Sequence, residues 1–275
     1  MWQLAIETIG LSGSVALFSE KELVASQALP EGIGSARSLL PAVDQLLLAN
    51  SISRQDLGWV SLANGPGSFT GLRVSVATAK AIGYALHIPI VAVDSLEALI
   101  FKLMQRYRSE YSSPFWIAVA MDAYRKQVFR AVAWVGPEQL TQQSPQAQSL
   151  PVVSERKFRI LLPSHHLDAI LWKENPLYSI PVYAHIQPEI HIEQAMYEAP
   201  LPIVLGGNGV NRYPIVGPAI EQITASDGSD ITAVDVGRYA WTKWQQQATI
   251  DPFSLLPNYL RSSAAEEKAQ LKSES

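Results

Sequence analysis

The stretch Asn64-Gly65-Pro66-Gly67-Ser68-Phe69-Thr70-Gly71-Leu72-Arg73 joins two segments of opposite character. Before it, Trp59 to Ala63 is short, apolar and strand-prone, which predicts a buried β-strand. After it, Leu72 to His87 is rich in alanine and lacks proline, which predicts a helix. Ser68 and Thr70 are both good helix N-caps. The sequence therefore predicts a strand, a tight glycine turn and a helix N-terminus, whose backbone N–H groups can point at an anion.

This glycine loop matches neither of two common phosphate-binding motifs. A Walker A loop needs Lys and Ser or Thr directly after its last glycine, and here Leu72 and Arg73 follow Gly71. A dinucleotide-binding loop needs its third glycine one residue earlier than Gly71. Ser68 does not fit a hydrolase elbow, because proline and threonine occupy the two places where G-x-S-x-G needs glycine. Two interpretations stay open: an anion site, or a strand-to-helix turn without a ligand.

Length and composition indicate a globular protein. The chain has 275 residues, of which 48% are hydrophobic and 17% charged. The net charge of −4 disfavours a free-standing nucleic-acid-binding protein. The absence of cysteine excludes disulfides, thiolate metal sites and a cysteine nucleophile. Since no apolar run approaches the roughly 20 residues of a membrane span and no signal peptide is visible, we expect a cytoplasmic protein without membrane contact.

Hydrophobic patterning predicts the order β-β-β-α-β-α-β-α for the first part of the chain. Residues 2–28 predict a three-stranded meander, and about Ser35 to Asn50 an amphipathic helix. A strand is expected at 88–93, followed by a helix that ends near Arg108. Hairpin strands followed by alternating helices and strands predict a mixed sheet covered by helices. This is the order of one half of the actin-like and sugar-kinase-like (ribonuclease H-like) α/β fold, which has two lobes.

The pattern partly restarts after the polar segment 109–114. Paired strands are predicted at 115–121 and 127–135, and a further strand at 201–205 leads into a glycine-rich turn. Residues 152–200 are interrupted by prolines and receive no assignment. We therefore predict an N-terminal lobe at 1–108, joined by a helix at about 232–247. A smaller, degenerate second lobe is predicted at 109–231, and a disordered tail at 262–275.

Loops that follow predicted strands are candidates for a nucleotide site, because open α/β folds bind ligands at the carboxyl ends of their strands. Glu7 ends the first strand, where its carboxylate could hold Mg²⁺ through water or be merely solvated. Asp122 ends another strand and could equally form a turn. The candidate nucleotide-binding residues are Glu7, Thr8, Gly65, Gly67, Ser68, Gly71, Asp122, Gly206 and Gly207.

The histidines predict no metal site. None of them has the H-E-x-x-H or H-x-x-x-H spacing that brings two imidazoles to one helix face. A structural or surface role is expected for all five, which are His87, His165, His166, His185 and His191.

The nine residues Gly65 to Arg73, followed by an alanine-rich helix, resemble the TsaB (YeaZ) family. Further matching segments follow in order along the chain: Leu4 to Thr8 with Ser14 to Leu17, Leu39 to Val43, Met121 to Ala123 with Val128-Phe129, and Pro257 to Arg261. The chain departs from the family pattern at Glu7, where Asp is usual, at Ser35-Ala36, where His-Ser is common, and at Tyr124, where Arg is expected.

The resemblance implies a scaffold and dimerisation subunit rather than an enzyme. This family supports the threonylcarbamoyl transferase that forms threonylcarbamoyladenosine next to the anticodon of tRNAs reading codons that begin with A. It is similar to that transferase but lacks its metal-binding histidine pair. An ATPase subunit docks on the pair, and tRNA is reached only through the complex. No catalytic residue, metal or cofactor is expected for the chain alone, with ATP or ADP and Mg²⁺ as candidates in the complex.

The resemblance also implies a pairing surface on the helices at about 35–50 and 72–87, which can join two copies of the chain as well. The residues predicted for this partner surface are Leu40, Val43, Leu47, Arg73, Ser75, Val76, Ala79 and Gly83. Small residues in this set would let another helix approach closely. The alternative is an ATP-dependent kinase or transferase of the same fold acting on its own. A metallopeptidase-like protein is a more distant third.

Overall fold

The computed structural model divides the chain into two compact units. It describes residues 1–10, 12–111, 115–124, 126–137, 203–214 and 230–260, and the backbone of 156–168 and 222–224. The first unit comprises the described residues of 1–95 and 232–240 and those from Thr249 onward; the second comprises those of 96–231 and 241–248. The division after Ser95 falls one helix earlier than the lobe boundary predicted at residue 108. Among the described residues, no helix combines the length and the apolar character that crossing a membrane requires.

The first unit is built on a five-stranded sheet. Its elements are β1 (Trp2–Glu7), β2 (Ser14–Ser19), β3 (Glu22–Ala28), α1 (Ser35–Ala49), a 3-10 turn (Arg54–Asp56), β4 (Leu57–Ala63), α2 (Phe69–Leu86) and β5 (Ile90–Val93). The sheet order is β3-β2-β1-β4-β5, with antiparallel pairing from β3 to β1 and parallel pairing from β1 to β5. The predicted meander and the alternating helices and strands that follow it are confirmed.

Helix α2 begins three residues earlier than predicted. Ser68 is its N-cap, and the Ser68 hydroxyl accepts a hydrogen bond from Gly71 N at 3.3 Å. His87 adopts the left-handed conformation, with φ 55°, and ends the helix. The cap at Ser68 therefore adds Phe69, Thr70 and Gly71 to the predicted helix.

The second unit repeats the strand order of the first. Its elements are α3 (Ser95–Tyr107), which leads into the unit, β6 (Phe115–Asp122), β7 (Gln127–Pro137), β8 (Arg156–Asp168), β9 (Ile203–Gly206), α4 (Asn208–Arg212) and β10 (Gln222–Thr224). The sheet order is β10-β9-β6-β7-β8. Strand β6 pairs antiparallel with β7 and parallel with β9, as β1 pairs with β2 and β4. The second sheet is therefore a copy of the first, in agreement with the restart of the sequence pattern.

Two parts of the second unit differ from the sequence-based expectation. The glycine-rich segment 206–209 is not only a turn, because Gly206 ends β9 and Asn208 begins α4. The unassigned segment 152–200 contains β8, which includes Pro163. Strand β8 lies at the end of the sheet order, and an edge strand tolerates proline because one side of its backbone needs no ladder hydrogen bond.

Helix α5 (Ala233–Gln245) returns the chain to the first sheet. Its first turn packs against apolar residues of β1 and β2, in a cluster of Ala5, Ala16, Phe18 and Ala233. A Cβ added at Gly237 would lie 2.2 Å from Phe18 Cε2, so the missing side chain lets α5 approach this ring. The buried Gln3 donates from Nε2 to Ser61 Oγ at 2.8 Å and to Gly237 O at 3.1 Å.

Residues 249–260, called the C-terminal strap below, lie along α2 and β5. Ile250 pairs with Ile90 at the edge of β5 through N–H···O bonds of 2.7 and 3.2 Å. Lys80 on α2 donates from Nζ to Phe253 O at 3.2 Å and to Leu255 O at 3.0 Å. Because the Leu255 side chain is buried, the strap is anchored by apolar packing as well as by hydrogen bonds.

Candidate functional site

The glycine loop between β4 and α2 is packed against the turn between β1 and β2. A Cβ added at Gly71 would lie 1.8 Å from Thr8 O, and one at Gly67 would lie 1.5 Å from Ile9 Cγ2. The Thr8 hydroxyl donates to Gly71 O at 2.7 Å. Gly65 has a φ of +92°, and a Cβ there would lie 2.6 Å from Asn258 O of the strap. The structure therefore gives the loop glycines a packing role, and a bound phosphate is not needed to explain them.

The carboxylate of Glu7 is turned back onto the backbone that follows it. Glu7 is buried, and its Oε1 accepts hydrogen bonds from Ile9 N at 2.5 Å and from Gly10 N at 2.7 Å. These contacts order the β1–β2 turn. The burial of Glu7 contradicts the interpretation of a solvated side chain, whereas a role in holding Mg²⁺ stays a prediction.

In the second unit, Asp122 at the end of β6 contacts both the β6–β7 turn and helix α4. Its Oδ1 accepts from Tyr124 N at 2.9 Å, and its Oδ2 lies 3.3 Å from Arg212 Nε. The Asp122 backbone N–H donates to Asn208 Oδ1 at 2.8 Å. The turn-forming interpretation of Asp122 is thus confirmed, with an ion pair added. Gly207, at φ +99°, is needed for close packing because its Cβ would lie 2.0 Å from Ala120 O.

Sequence reasoning missed Asn208 and Asp230. Asn208 Nδ2 donates to Asp230 Oδ1 at 3.1 Å, and Lys102 Nζ donates to Asp230 O at 2.8 Å. Burial raises the pKa of Asp230, while the Asn208 hydrogen bond and the charge of Lys102 act in the opposite direction. The sequence signalled Asn208 only through its place in the glycine-rich segment 206–209. Nothing in the spacing links Asn208 to Asp230, which is more than twenty positions away.

The predicted nucleotide-binding residues fall into two separate groups. Glu7, Thr8, Gly65, Gly67, Ser68 and Gly71 lie in the first unit, and Asp122, Gly206 and Gly207 lie in the second. Within each unit the residues contact one another through the turns and loops described above. The role in nucleotide binding stays a prediction.

Most of the residues predicted for a partner surface are covered by the chain itself. Six of the eight are buried: Val43, Leu47, Ser75, Val76, Ala79 and Gly83. Ser75 donates to Leu72 O at 3.0 Å, and a Cβ at Gly83 would lie 3.0 Å from Pro252 Cγ of the strap. Leu40 and Arg73 are exposed.

A different row of small residues on α2 faces outward. It consists of Ala77, Ala81 and Ala85, all exposed. On the neighbouring helix α1, Leu40 is 53% and Leu48 81% exposed. These five residues are called the outward face below. Only Leu40 among them was predicted for the partner surface, and the alanines were missed because two rows of small residues with the same spacing run along α2. Spacing alone does not show which row the sheet covers.

Metal ligation receives no support in the part of the chain that the structure describes, which contains no group of three or more His, Asp or Glu side chains able to hold an ion. His87 ends α2, and His165 and His166 are neighbours in β8. His185 and His191 lie outside the described residues.

Comparisons with known proteins agree on one relationship. Residues 32–147 match the family model described as TsaD, tRNA N6-adenosine threonylcarbamoyltransferase. The chain is 36% identical over 126 residues to the tRNA threonylcarbamoyladenosine biosynthesis protein TsaB of Bacillus subtilis, a match covering 46% of this chain and 52% of that protein. It is 31% identical over 128 residues to the TsaB of Buchnera aphidicola, covering 46% and 57%. The chain is therefore similar to TsaB proteins over a little under half of its length.

The solved structure of YeaZ from Pseudomonas aeruginosa has the same fold. Its TM-score is 0.65 at 21% identity, over 94% of this chain and 99% of that chain. This similarity and the strand order of both sheets confirm the predicted actin-like α/β fold. The chain spans about half the length of the TsaB sequences that it matches.

Proposed function

We propose that the chain is a non-catalytic subunit that pairs with a threonylcarbamoyl transferase in the synthesis of threonylcarbamoyladenosine in tRNA. The pathway is suggested by the names of the TsaB relatives and by the family model that the chain matches. The observation that carries the proposal is the outward face of α1 and α2. An ATPase subunit docks on the resulting pair, and tRNA is reached through the complex in the cytoplasm.

The outward face has the properties of a helix-pairing surface. The exposed side of α2 carries only short side chains at Ala77, Ala81 and Ala85. A partner helix can therefore approach the backbone of α2 closely. On α1, which contacts α2, the apolar side chains of Leu40 and Leu48 are 53% and 81% exposed. Large exposed apolar side chains grouped on one face are typical of protein–protein contacts.

Two contacts within the first unit favour a supporting role over catalysis. The Glu7 carboxylate is occupied by Ile9 N and Gly10 N, and the glycine loop is filled by Thr8 and Ile9. A kinase-like site needs a carboxylate that faces the metal and a loop open to phosphate. The contacts of Glu7 Oε1 and of the loop glycines support a subunit without such a site in this loop.

The test is substitution of Ala81 by Arg. Ala81 is exposed and Arg is a good helix former, so we expect the free energy of unfolding to change by less than about 0.5 kcal/mol. A charged side chain in the middle of a helix pair must be desolvated, and we expect at least about tenfold weaker binding to the transferase subunit of the same organism. Binding is measured by calorimetry with the purified subunits, and self-association by light scattering.

The matched control is Ala248→Arg, an exposed alanine outside both helices, which should bind like the wild type. Ala79→Arg is unsuitable, since Ala79 is buried and the variant would lose its fold. Unchanged transferase binding by Ala81→Arg, or ATP turnover by the isolated chain, would contradict the proposal and favour the ATP-dependent enzyme.

A further inference from the structure

In the turn between β6 and β7, an exposed tyrosine has a backbone conformation that is disfavoured for residues with a Cβ. Tyr124 has φ 60° and Lys126 has φ 62°, so both occupy the left-handed region. Residues with a Cβ are disfavoured there, and glycine is the preferred choice in such hairpin turns. The Tyr124 side chain is nevertheless 63% exposed, so packing does not explain why tyrosine stands at this position.

A second aromatic and a second cation lie beside this turn. Arg212, at the end of α4, places its guanidinium 5.9 Å from the ring centroid of Tyr213. Its side chain is 60% exposed although Nε lies 3.3 Å from Asp122 Oδ2. Asp122 uses its other oxygen for Tyr124 N, so one carboxylate holds the turn and Arg212 together. The four residues Tyr124, Lys126, Arg212 and Tyr213 are called the basic-aromatic cluster below.

We propose that the basic-aromatic cluster binds single-stranded RNA. A base can stack on the exposed Tyr124 ring, because stacking on aromatic side chains accepts any base. Lys126 and Arg212 supply positive charge for the neighbouring phosphates. Among the described residues of the turn, Lys126 adds an exposed ammonium, and the Asp122 carboxylate is already paired with Arg212.

This ligand fits the chemistry better than a duplex or a free phosphate. A duplex keeps its bases stacked inside the helix and offers nothing to a tyrosine ring. A free phosphate would use the cations but would give the exposed ring no contact. The chain as a whole is acidic, with net charge −4, so a local group of cations and aromatics indicates a short contact with a loop or an end rather than a long binding groove.

The inference does not depend on the proposed pairing with a transferase. It concerns the second unit, whereas the outward face of α1 and α2 belongs to the first. Unchanged transferase binding by Ala81→Arg together with intact RNA binding would contradict only the proposed function.

The test uses the full chain with the variant Tyr124→Gly. Glycine adopts the left-handed conformation without steric cost, so the unfolding midpoint should stay the same or rise. A loss of RNA binding would then be due to the missing ring and not to a destabilised fold. We expect about tenfold weaker binding of a fluorescent single-stranded RNA of about ten nucleotides, measured by anisotropy at low salt. Arg212→Ala should weaken binding as well and make it less dependent on salt.

Arg54→Ala is the matched control. Arg54 is an exposed arginine paired with an aspartate, Asp44, at 2.8 Å, but it lies in the first unit. This variant should bind the RNA like the wild type. The proposal is wrong if the wild type shows no saturable binding of the single strand, if Tyr124→Gly binds it equally well, or if an RNA duplex of the same length binds as tightly.

Discussion

Gly71 is the residue whose replacement the fold tolerates least within the glycine loop. It belongs to the first turn of α2, and its Cα faces the carbonyl of Thr8 in the β1–β2 turn. A Cβ at this position would lie 1.8 Å from a backbone oxygen, which cannot rotate away as a side chain can. The glycine is therefore required by the distance between two backbone segments.

We predict that Gly71→Ser lowers the free energy of unfolding by about 3 kcal/mol or more, because α2 must move away from β1. Urea unfolding followed by circular dichroism measures the change. Gly34→Ser is the matched control: Gly34 precedes α1, and nothing lies within 4 Å of an added Cβ. Since serine is a good N-cap, this variant should be as stable as the wild type or slightly more stable. Equal effects of the two substitutions would contradict the packing role of Gly71.

Sequence reasoning at the residue scale identified the right positions more often than their contacts. It selected Gly67, Gly71 and Glu7 because glycines and a carboxylate follow strands. What it lacked was the distance between the two loops, which depends on how β1 and β4 pair. Two chemically different roles, binding a phosphate and packing against a neighbouring turn, require the same residue types.

At the scale of elements, α2 shows why a helix face is difficult to assign from sequence. Ser75 and Ala79 are buried, whereas Ala77 and Ala81 are exposed. Positions two apart on a helix differ by about 200° in direction, so the two rows point to nearly opposite sides. Both rows consist of small residues, and the pattern therefore predicts the helix without showing which side meets the sheet.

The C-terminal strap is a second element that sequence reasoning placed only as a short ordered segment. Lys80 holds two of its carbonyl oxygens, and Tyr259 stacks on Phe69 with ring centroids 5.1 Å apart. Arg73, predicted for the partner surface, donates from Nε to the Tyr259 hydroxyl at 3.0 Å. These contacts join residues more than 170 positions apart, which no local pattern indicates.

We predict that Lys80→Met loosens the strap while the rest of the first unit stays folded. Methionine keeps the apolar stem but removes both hydrogen bonds, each contributing about 1 kcal/mol. Amide hydrogen exchange measured by mass spectrometry should become faster in peptides covering 249–260 and stay unchanged in those covering β1. Lys21→Met, on an exposed turn, is the control. Unchanged exchange in the strap would show that apolar packing of Leu255 suffices to hold it.

At the scale of the whole molecule, the first unit is built from segments that are far apart in the sequence. The chain leaves the first unit after Ser95, forms the second, and returns with α5. The hydrophobic pattern together with the family resemblance predicted the fold class, and the restart of the pattern suggested a second, degenerate copy of the first half. The position of the unit boundary and the contacts of Gln3 with α5 could not be predicted, because they depend on packing between distant segments.

A chain shortened to end at Ile231 should fail to fold its first unit. It lacks α5 and the strap, so the face that carries Ala5, Ala16 and Phe18 is left in water. We expect no cooperative unfolding transition in urea and strong binding of a hydrophobic dye. Full-length Gln3→Ala is the milder comparison and should lose only about 1–3 kcal/mol, because Ser61 and Gly237 lose their donor. A transition with the wild-type slope in the shortened chain would refute this role of α5.

The late arrival of α5 also affects the protein during its synthesis. Ribosomes add about 5–20 residues per second, so the interval between Ser95 and Ala233 lasts roughly 7 to 28 seconds. Throughout that time the nascent sheet carries Phe18 on a face that nothing yet covers. We therefore expect the newborn chain to expose apolar surface of the kind that chaperones bind, until translation of α5 supplies the missing cover.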